Sequence, residues 1–140
     1  MDIKRIAILG AGNGGFMSAA DLSSMGYEVT LYDSVPGKLE GVKRTGGIEV
    51  CYIDSKPTGQ FGKVALAADD VADAVRGAQV ILNPVPFFAV KTYAEQAAPY
   101  ITEGQVIISL GKGGASLVWK KALDEAGNKS RVYLADCNTL

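Results

Sequence analysis

Hydrophobic and polar positions along the chain predict a regular succession of strands and helices. Runs rich in Ile, Val and Leu predict buried strands at 3–9, 27–33, 79–85, 105–110 and 131–135. Segments with helical periodicity predict helices at 13–25, 69–78, 86–101 and 115–126, and a short helix or turn at 35–47. This alternation predicts an α/β fold, a doubly wound and mostly parallel sheet with helices on both faces.

The region from 48 to 67 interrupts this alternation. Residues 48–53 and 63–67 predict an antiparallel pair with a long loop, because Pro57, Gly59 and Gly62 stand between them. The β-α-β halves of the sheet are expected to meet near residue 70. Eight strand–helix units of a closed barrel need about 200 residues or more, so 140 residues favour one open-sheet domain over 1–140.

Apolar spacing also predicts which side chains of the helix at 86–101 face the sheet. The residues that share this face are Phe87, Val90, Ala94, Ala97 and Ile101. Phe88 and Trp119 lie near or off such stripes. Core, ordinary surface and contact with a partner domain all remain open for these two aromatic residues.

Charge and composition exclude several classes of partner. Fourteen Lys and Arg against fifteen Asp and Glu leave a net charge of −1, which offers no basic excess for nucleic acid or an anionic membrane. No apolar run approaches the roughly 20 residues that a membrane span needs. Strand-like sequence from Ile3 leaves no room for a signal peptide, and Cys51 and Cys137 have no metal-ligand spacing. We expect a cytoplasmic domain with reduced thiols and no metal.

The glycines after the first strand carry the strongest chemical signal. Gly10, Gly12 and Gly15 have the spacing G-x-G-x-x-G between a predicted strand and a predicted helix. In a Rossmann-type fold the first glycine permits a tight turn, the second admits a pyrophosphate, and the third brings helix and strand together. A glycine turn without a ligand is the structural alternative. Ala11, Asn13 and Gly14 complete the predicted phosphate-binding turn, since amides at a helix N-terminus bind anions.

Asp33 ends the second predicted strand, near the separation of about 20 residues at which an acid binds the adenosine ribose. Its carboxylate would accept hydrogen bonds from ribose hydroxyls and repel a 2′-phosphate, so NAD is favoured over NADP. Lys38, Lys43 and Arg44 could hold a phosphate, but a solvated helix face is the preferred interpretation.

Two further loops join strands to helices. Pro84, Val85 and Pro86 lie at the carboxyl end of a central strand, where ligands bind in such sheets, so they are predicted to border the cofactor; a rigid connector is the alternative. The loop 109–116 resembles a P-loop at first sight, but Lys112 is followed by Gly113 rather than Ser or Thr. A contact at the nicotinamide or substrate end and a purely structural turn both remain open.

Three stretches together resemble the N-terminal domain of the opine dehydrogenases, the octopine and nopaline dehydrogenase family. They are "ILGAGNGGFMSAADLSSMGYEVTLYD", "GAQVILNPVPFFAV" and "YITEGQVIISLGKGGASLVWKKAL". The glycine turn itself is shared with ketopantoate reductases and glycerol-3-phosphate dehydrogenases. The resemblance implies reductive coupling of an amino acid to a 2-oxo acid with NADH or NADPH. It also implies a second, mainly helical domain that supplies a catalytic histidine.

The sequence contains no histidine, so no catalytic residue is carried over from this resemblance. We expect 1–140 to be the cofactor domain, with the catalytic and substrate domain absent, whether by excision or because the protein is naturally short. A ketopantoate-reductase-like domain would prefer NADPH and use a lysine, for which Lys91 and Lys112 are the candidates. A non-enzymatic nucleotide sensor is the alternative from another class. Oligomeric state is not predicted.

Overall fold

The computed structural model describes residues 2–111 and 113–138. A six-stranded sheet forms its centre, in the order β5-β2-β1-β6-β7-β8, and all five pairings within it are parallel. The strands are β1 (Arg5–Leu9), β2 (Glu28–Tyr32), β5 (Leu66–Ala68), β6 (Val80–Asn83), β7 (Val106–Leu110) and β8 (Tyr133–Cys137). Strand order reverses between β1 and β6, so the chain is doubly wound as predicted.

Five α-helices connect the strands in the described part of the chain. They are α1 (Asn13–Ser24), α2 (Glu40–Thr45), α3 (Val71–Val75), α4 (Phe87–Ala97) and α5 (Ala115–Glu125), and a 3₁₀ turn (Ala98–Tyr100) follows α4. Asp70 caps α3, where its Oδ1 accepts the Ala72 N–H at 2.8 Å. None of the helices in the described part of the chain is long and apolar enough to cross a membrane.

The core has one layer on each face of the sheet. On one face α1 and α2 pack against Ile8, Val29 and Leu31; on the other α3, α4 and α5 pack against Ile81 and Ile107. Trp119 is fully buried in this second layer, which settles its place as core. Coverage is incomplete at the β6–β7 end of the first face. The residues there that remain partly exposed are Leu82, Val106, Ile108 and Leu110.

The predicted antiparallel pair is wrong in its second strand. β3 (Gly47–Cys51) pairs with β4 (Pro57–Lys63), which lies mostly in the predicted loop, and 66–68 instead joins the parallel sheet as β5. Glycine serves packing in β4: a Cβ on Gly62 would overlap the Cα of Ala20 in α1. The hairpin therefore lies flat on α1 because its glycine has no side chain.

The predicted inner face of α4 is correct except at its first residue. Val90, Ala94 and Ala97 are buried, as is Ile101 beyond the helix. Phe87 is 49% exposed and lines a cleft, because it begins the helix beyond the edge of the sheet. Phe88 is 86% exposed, so two adjacent aromatic side chains flank this cleft.

Candidate functional site

The glycine turn between β1 and α1 has the shape that its spacing predicts. Gly10 has φ +116°, a left-handed conformation that favours glycine, and its N–H donates to the Tyr32 carbonyl at 2.8 Å. A Cβ on Gly10 would overlap Val85 Cγ1. A Cβ on Gly15 would overlap the Gly10 carbonyl oxygen. Gly10 therefore makes the turn, and Gly15 allows α1 to lie against it.

Gly12 differs from its two neighbours because the space beside it is open. No heavy atom of the described residues lies within 4 Å of a Cβ built there, and its φ of −79° is one that any residue adopts. Neither packing nor backbone conformation therefore requires glycine at position 12. α1 begins at the next residue, and the amides of Asn13 and Gly14 find no acceptor within residues 2–111 and 113–138. Free amides at a helix N-terminus form an anion site.

Asp33 is held against this turn by backbone amides. Its Oδ2 accepts the Ala11 N–H at 2.6 Å and its Oδ1 accepts the Val35 N–H at 2.9 Å. The carboxylate remains partly exposed and lines a hollow of about 200 Å³. Ala11 is buried and its amide already donates to Asp33, so this amide holds the carboxylate in place. Each carboxylate oxygen keeps lone pairs that two vicinal hydroxyls could use.

Tyr93 of α4 contacts the same loop, and no pattern in the sequence predicts this contact. Its hydroxyl oxygen accepts the Ser34 N–H at 3.4 Å, and its ring meets Tyr32 edge-on at a centroid distance of 6.2 Å. Burial raises the pKa of the Tyr93 hydroxyl. The residue is 5% exposed, and it stays neutral at physiological pH.

A larger cleft of about 1020 Å³ opens on the other side of the glycine turn. Its described lining comprises Gly12, Asn13, Gly14, Pro84, Val85, Pro86, Phe87, Phe88, Leu110, Gly111, Gly113 and Asn138. The structure thus brings the predicted 84–86 segment beside the predicted turn, although the chain separates them by some seventy positions. The loop after β7 was singled out in the sequence. Asn138 was missed, since nothing in its sequence context marks it.

Four cations of the sequence analysis lie away from this cleft, and the fifth lies outside the described residues. Lys43 pairs with Asp69 and Glu40, and hydrogen bonding to Asp69 raises its pKa. Lys38 and Arg44 are exposed, and Lys38 and Lys43 line the hollow beside Asp33. Lys91 lies on the outer side of α4 beside Glu95, at 3.6 Å, and does not line the cleft. Lys112 is outside the described residues.

Asp136 of β8 holds the start of α5, directly after the β7–α5 loop that lines the cleft. Its carboxylate accepts hydrogen bonds from the Ser116 hydroxyl at 2.8 Å, the Gly114 N–H at 2.9 Å and the Ser116 N–H at 2.8 Å. Partial burial opposes ionisation, but these three bonds outweigh it and lower the pKa of Asp136. The residue therefore caps α5 from a neighbouring strand.

We expect the Asp136→Asn variant to lose about 1–2 kcal/mol of unfolding free energy at pH 7, the cost of a weakened helix cap. A folded-state pKa below the unfolded value means that the contribution is complete above about pH 4 and is lost as pH falls through the folded pKa. Urea unfolding from pH 7 to pH 3 measures this. Asp124→Asn is the control, since among the described residues the side chain of this exposed aspartate pairs only with Lys120 on α5. A deficit that stays constant down to pH 3 would contradict the assignment.

Comparison with known proteins assigns the chain to a family. Residues 5–130 match the family model described as NAD-dependent glycerol-3-phosphate dehydrogenase N-terminus. The chain belongs to this family. It is a member of a group of NAD-dependent dehydrogenase domains, so NAD is the family's cofactor, in agreement with the prediction from Asp33.

Individual relatives connect the chain to opine dehydrogenases as well. It is 33% identical to opine dehydrogenase of Arthrobacter sp. strain 1C over 128 residues, 91% of this chain and 35% of that protein. It is 30% identical to glycerol-3-phosphate dehydrogenase [NAD(P)+] 2 of Lactobacillus delbrueckii subsp. bulgaricus over 111 residues, 79% of this chain and 32% of that protein. The chain thus spans about a third of these relatives' length.

A solved structure confirms the Rossmann-type fold. Octopine dehydrogenase, determined in complex with NADH and agmatine, superposes with a TM-score of 0.75 at 23% identity. The match covers 94% of this chain and 34% of the octopine dehydrogenase chain. The predicted resemblance to the opine dehydrogenase group, and its kinship with glycerol-3-phosphate dehydrogenases, is confirmed by these findings together.

Proposed function

We propose that this chain is the NADH-binding domain of an opine dehydrogenase-like oxidoreductase, which couples an amino acid to a 2-oxo acid. One observation carries the cofactor part of this proposal. At Gly12 the turn is open, and the two following amides lack acceptors among the described residues, while hollows lie on both sides. A dinucleotide has the matching form, an anionic pyrophosphate between two nucleosides.

Each part of the site then has a role toward the cofactor. The amides of Asn13 and Gly14 bind the pyrophosphate, which lies against Gly12 with the α1 dipole behind it. Asp33 accepts hydrogen bonds from the adenosine ribose in the smaller hollow. Pro84, Val85 and Pro86 border the nicotinamide half in the larger cleft. NADH bound in this way supplies the hydride that reduces an imine.

We infer that a further domain supplies the reacting groups other than the hydride. None of the described residues that line the larger cleft has a titratable side chain, so none can deliver a proton at neutral pH. Val85, Pro86 and Phe87 give the cleft an apolar wall that excludes water from one side. The partly exposed apolar face at Leu82 and Ile108 is where a further domain would complete the sheet's cover.

Glycerol-3-phosphate dehydrogenase activity is the second candidate, and the family-model match over residues 5–130 favours it. We prefer the opine reaction because the Arthrobacter opine dehydrogenase matches 91% of the chain at 33% identity, whereas the Lactobacillus glycerol-3-phosphate dehydrogenase matches 79% at 30% identity. A ketopantoate-reductase-like domain is less consistent with Asp33, and Lys91 does not face the cleft. By itself the chain is expected to show no NADH oxidation with an amino acid and a 2-oxo acid, or with dihydroxyacetone phosphate. Robust turnover with either would overturn the assignment of the reacting groups.

The cofactor preference tests the role of Asp33. In Asp33→Ser we expect NADH affinity to fall about tenfold, since a charge-assisted hydrogen bond contributes about 1.5 kcal/mol or more. NADPH affinity should rise, because the repulsion of its 2′-phosphate is removed. Calorimetric titration of each variant with both cofactors measures the change. An unchanged preference would count against the ribose role.

Asp33→Asn is the matched control for the internal contact of this residue. The side-chain carbonyl oxygen of asparagine can still accept the Ala11 N–H, but asparagine lacks the negative charge of Asp33. We expect Asp33→Asn to shift the cofactor preference in the same direction as Asp33→Ser, with a smaller loss of unfolding free energy. If only Asp33→Ser changed the preference, the effect would come from the turn and not from the charge.

A further inference from the structure

Asn83 is a fully buried polar side chain at the carboxyl end of β6, where strand order reverses. Its Nδ2 donates to the Leu9 carbonyl oxygen at 2.7 Å. Leu9 is the last residue of β1 and directly precedes the glycine turn. A buried amide side chain with one backbone partner, at the point where the sheet opens, is unusual enough to require an explanation.

The neighbouring proline explains why a side chain is used here. β1 and β6 pair in parallel as far as Ile8 and Leu82. Beyond them Pro84 has no N–H, so it cannot donate across to the end of β1. The Asn83 side chain supplies a donor for the Leu9 carbonyl in its place.

The same peptide group is held from its other side. The Leu9 carbonyl and the Gly10 N–H belong to one planar peptide unit. The Gly10 N–H donates to Tyr32 on β2, at 2.8 Å, while the Leu9 carbonyl accepts from Asn83 on β6. This unit is therefore clamped between two strands, and its plane sets the direction in which the chain enters the turn.

Ser109 lies beside Asn83 on the neighbouring strand. The two residues are register partners on β6 and β7, and both are buried. Asn83 Oδ1 and Ser109 Oγ have no hydrogen-bond partner within the described residues.

We propose that Asn83 is a positioning residue for pyrophosphate binding. By orienting the Leu9–Gly10 peptide unit it places Gly12 and the amides of Asn13 and Gly14 where the phosphates need them. Asn83 touches no ligand and acts only through the turn. This inference rests on the proposed dinucleotide function and adds to it the residue that shapes the turn.

Asn83→Leu tests the proposal, because leucine has a similar volume and no donor. ADP-ribose carries the pyrophosphate, and adenosine lacks it. We expect the Kd for ADP-ribose to rise about tenfold, as for other losses of preorganisation, and that for adenosine to stay within about twofold. Calorimetry and NMR titration measure the two. Ile81→Val is the control, since it trims a buried side chain two residues earlier on the same face; it should leave both affinities unchanged.

Asn83→Asp gives a readout that general destabilisation would not. Burial raises the pKa of a carboxyl at this position, and its protonated form can still donate to Leu9. We expect ADP-ribose affinity relative to wild type to be near one at low pH and to fall as pH rises through that pKa. The contribution of Asp33 is common to both proteins and cancels in this ratio. Asn83→Asp also serves if Asn83→Leu fails to fold.

The outcomes separate this proposal from the proposed function. Wild-type affinity in Asn83→Leu, or a parallel loss for ADP-ribose and adenosine, would overturn the positioning role alone. If wild type binds neither NADH nor ADP-ribose, the proposed function fails. The clamp is then judged by hydrogen exchange of the Gly10 amide, which should accelerate in Asn83→Leu more than in Ile81→Val. Equal exchange in the two variants would overturn it.

Discussion

Replacing Gly12 with serine is expected to weaken NADH binding about 100-fold while leaving the fold at least as stable. Binding falls because a side chain then occupies the open space of the turn, and two charge-assisted hydrogen bonds of about 1.5 kcal/mol each are lost. Stability does not fall, because φ of −79° suits serine and serine is a preferred residue at the start of a helix. Titration with NADH and urea unfolding measure the two quantities.

Gly41→Ala is the control for this variant. No heavy atom of the described residues lies within 4 Å of a Cβ built on Gly41 either, and this residue belongs to α2 rather than to the turn. We expect it to bind NADH as wild type does and to gain up to about 1 kcal/mol of stability, since alanine favours helix over glycine. If Gly12→Ser retained wild-type affinity, the pyrophosphate would not lie against this turn.

Replacing Gly15 with alanine is expected to cost about 3 kcal/mol of unfolding free energy, at the upper end of overpacking. The new methyl group would overlap the Gly10 carbonyl oxygen, which is backbone and cannot rotate away. α1 must then move off the end of β1. For a domain of this size, about 3 kcal/mol corresponds to a fall in Tm of about 10 °C.

The two glycine variants fail for different reasons, and this separates fold from function. Gly15→Ala should lose stability and NADH affinity together, whereas Gly12→Ser should lose affinity alone. Differential scanning calorimetry with and without NADH distinguishes them. A Gly15→Ala protein with the Tm of the Gly41→Ala control would show that the close approach of α1 to β1 is not required.

Local sequence signals predicted the parts of the site that depend on the nearby chain. The spacing of Gly10, Gly12 and Gly15 needed only a strand before it and a helix after it, and both are present. Asp33 follows at the end of the next strand. Parallel strands place their carboxyl ends together, so the neighbourhood of Pro84 and Val85 was also predictable from strand order.

The remaining features depend on contacts that sequence patterns do not encode. Asp136 caps α5 across 20 positions, and Asn83 reaches Leu9 across 74. β4 was assigned to a loop because Pro57, Gly59 and Gly62 are normally unfavourable in strands. It forms a strand because Gly62 lets the hairpin pack closely on α1, a tertiary effect that overrides the local preference.

Calorimetric titration of the purified chain with NADH, and separately with NADPH, is the decisive test of a dinucleotide site at the glycine turn. We expect one binding site, tighter binding of NADH than of NADPH, and displacement of NADH by ADP-ribose. Such a result would identify the open turn at Gly12 and the carboxylate of Asp33 as a working cofactor site. Binding of neither cofactor, or equal binding of both with no effect of Gly12→Ser, would contradict it.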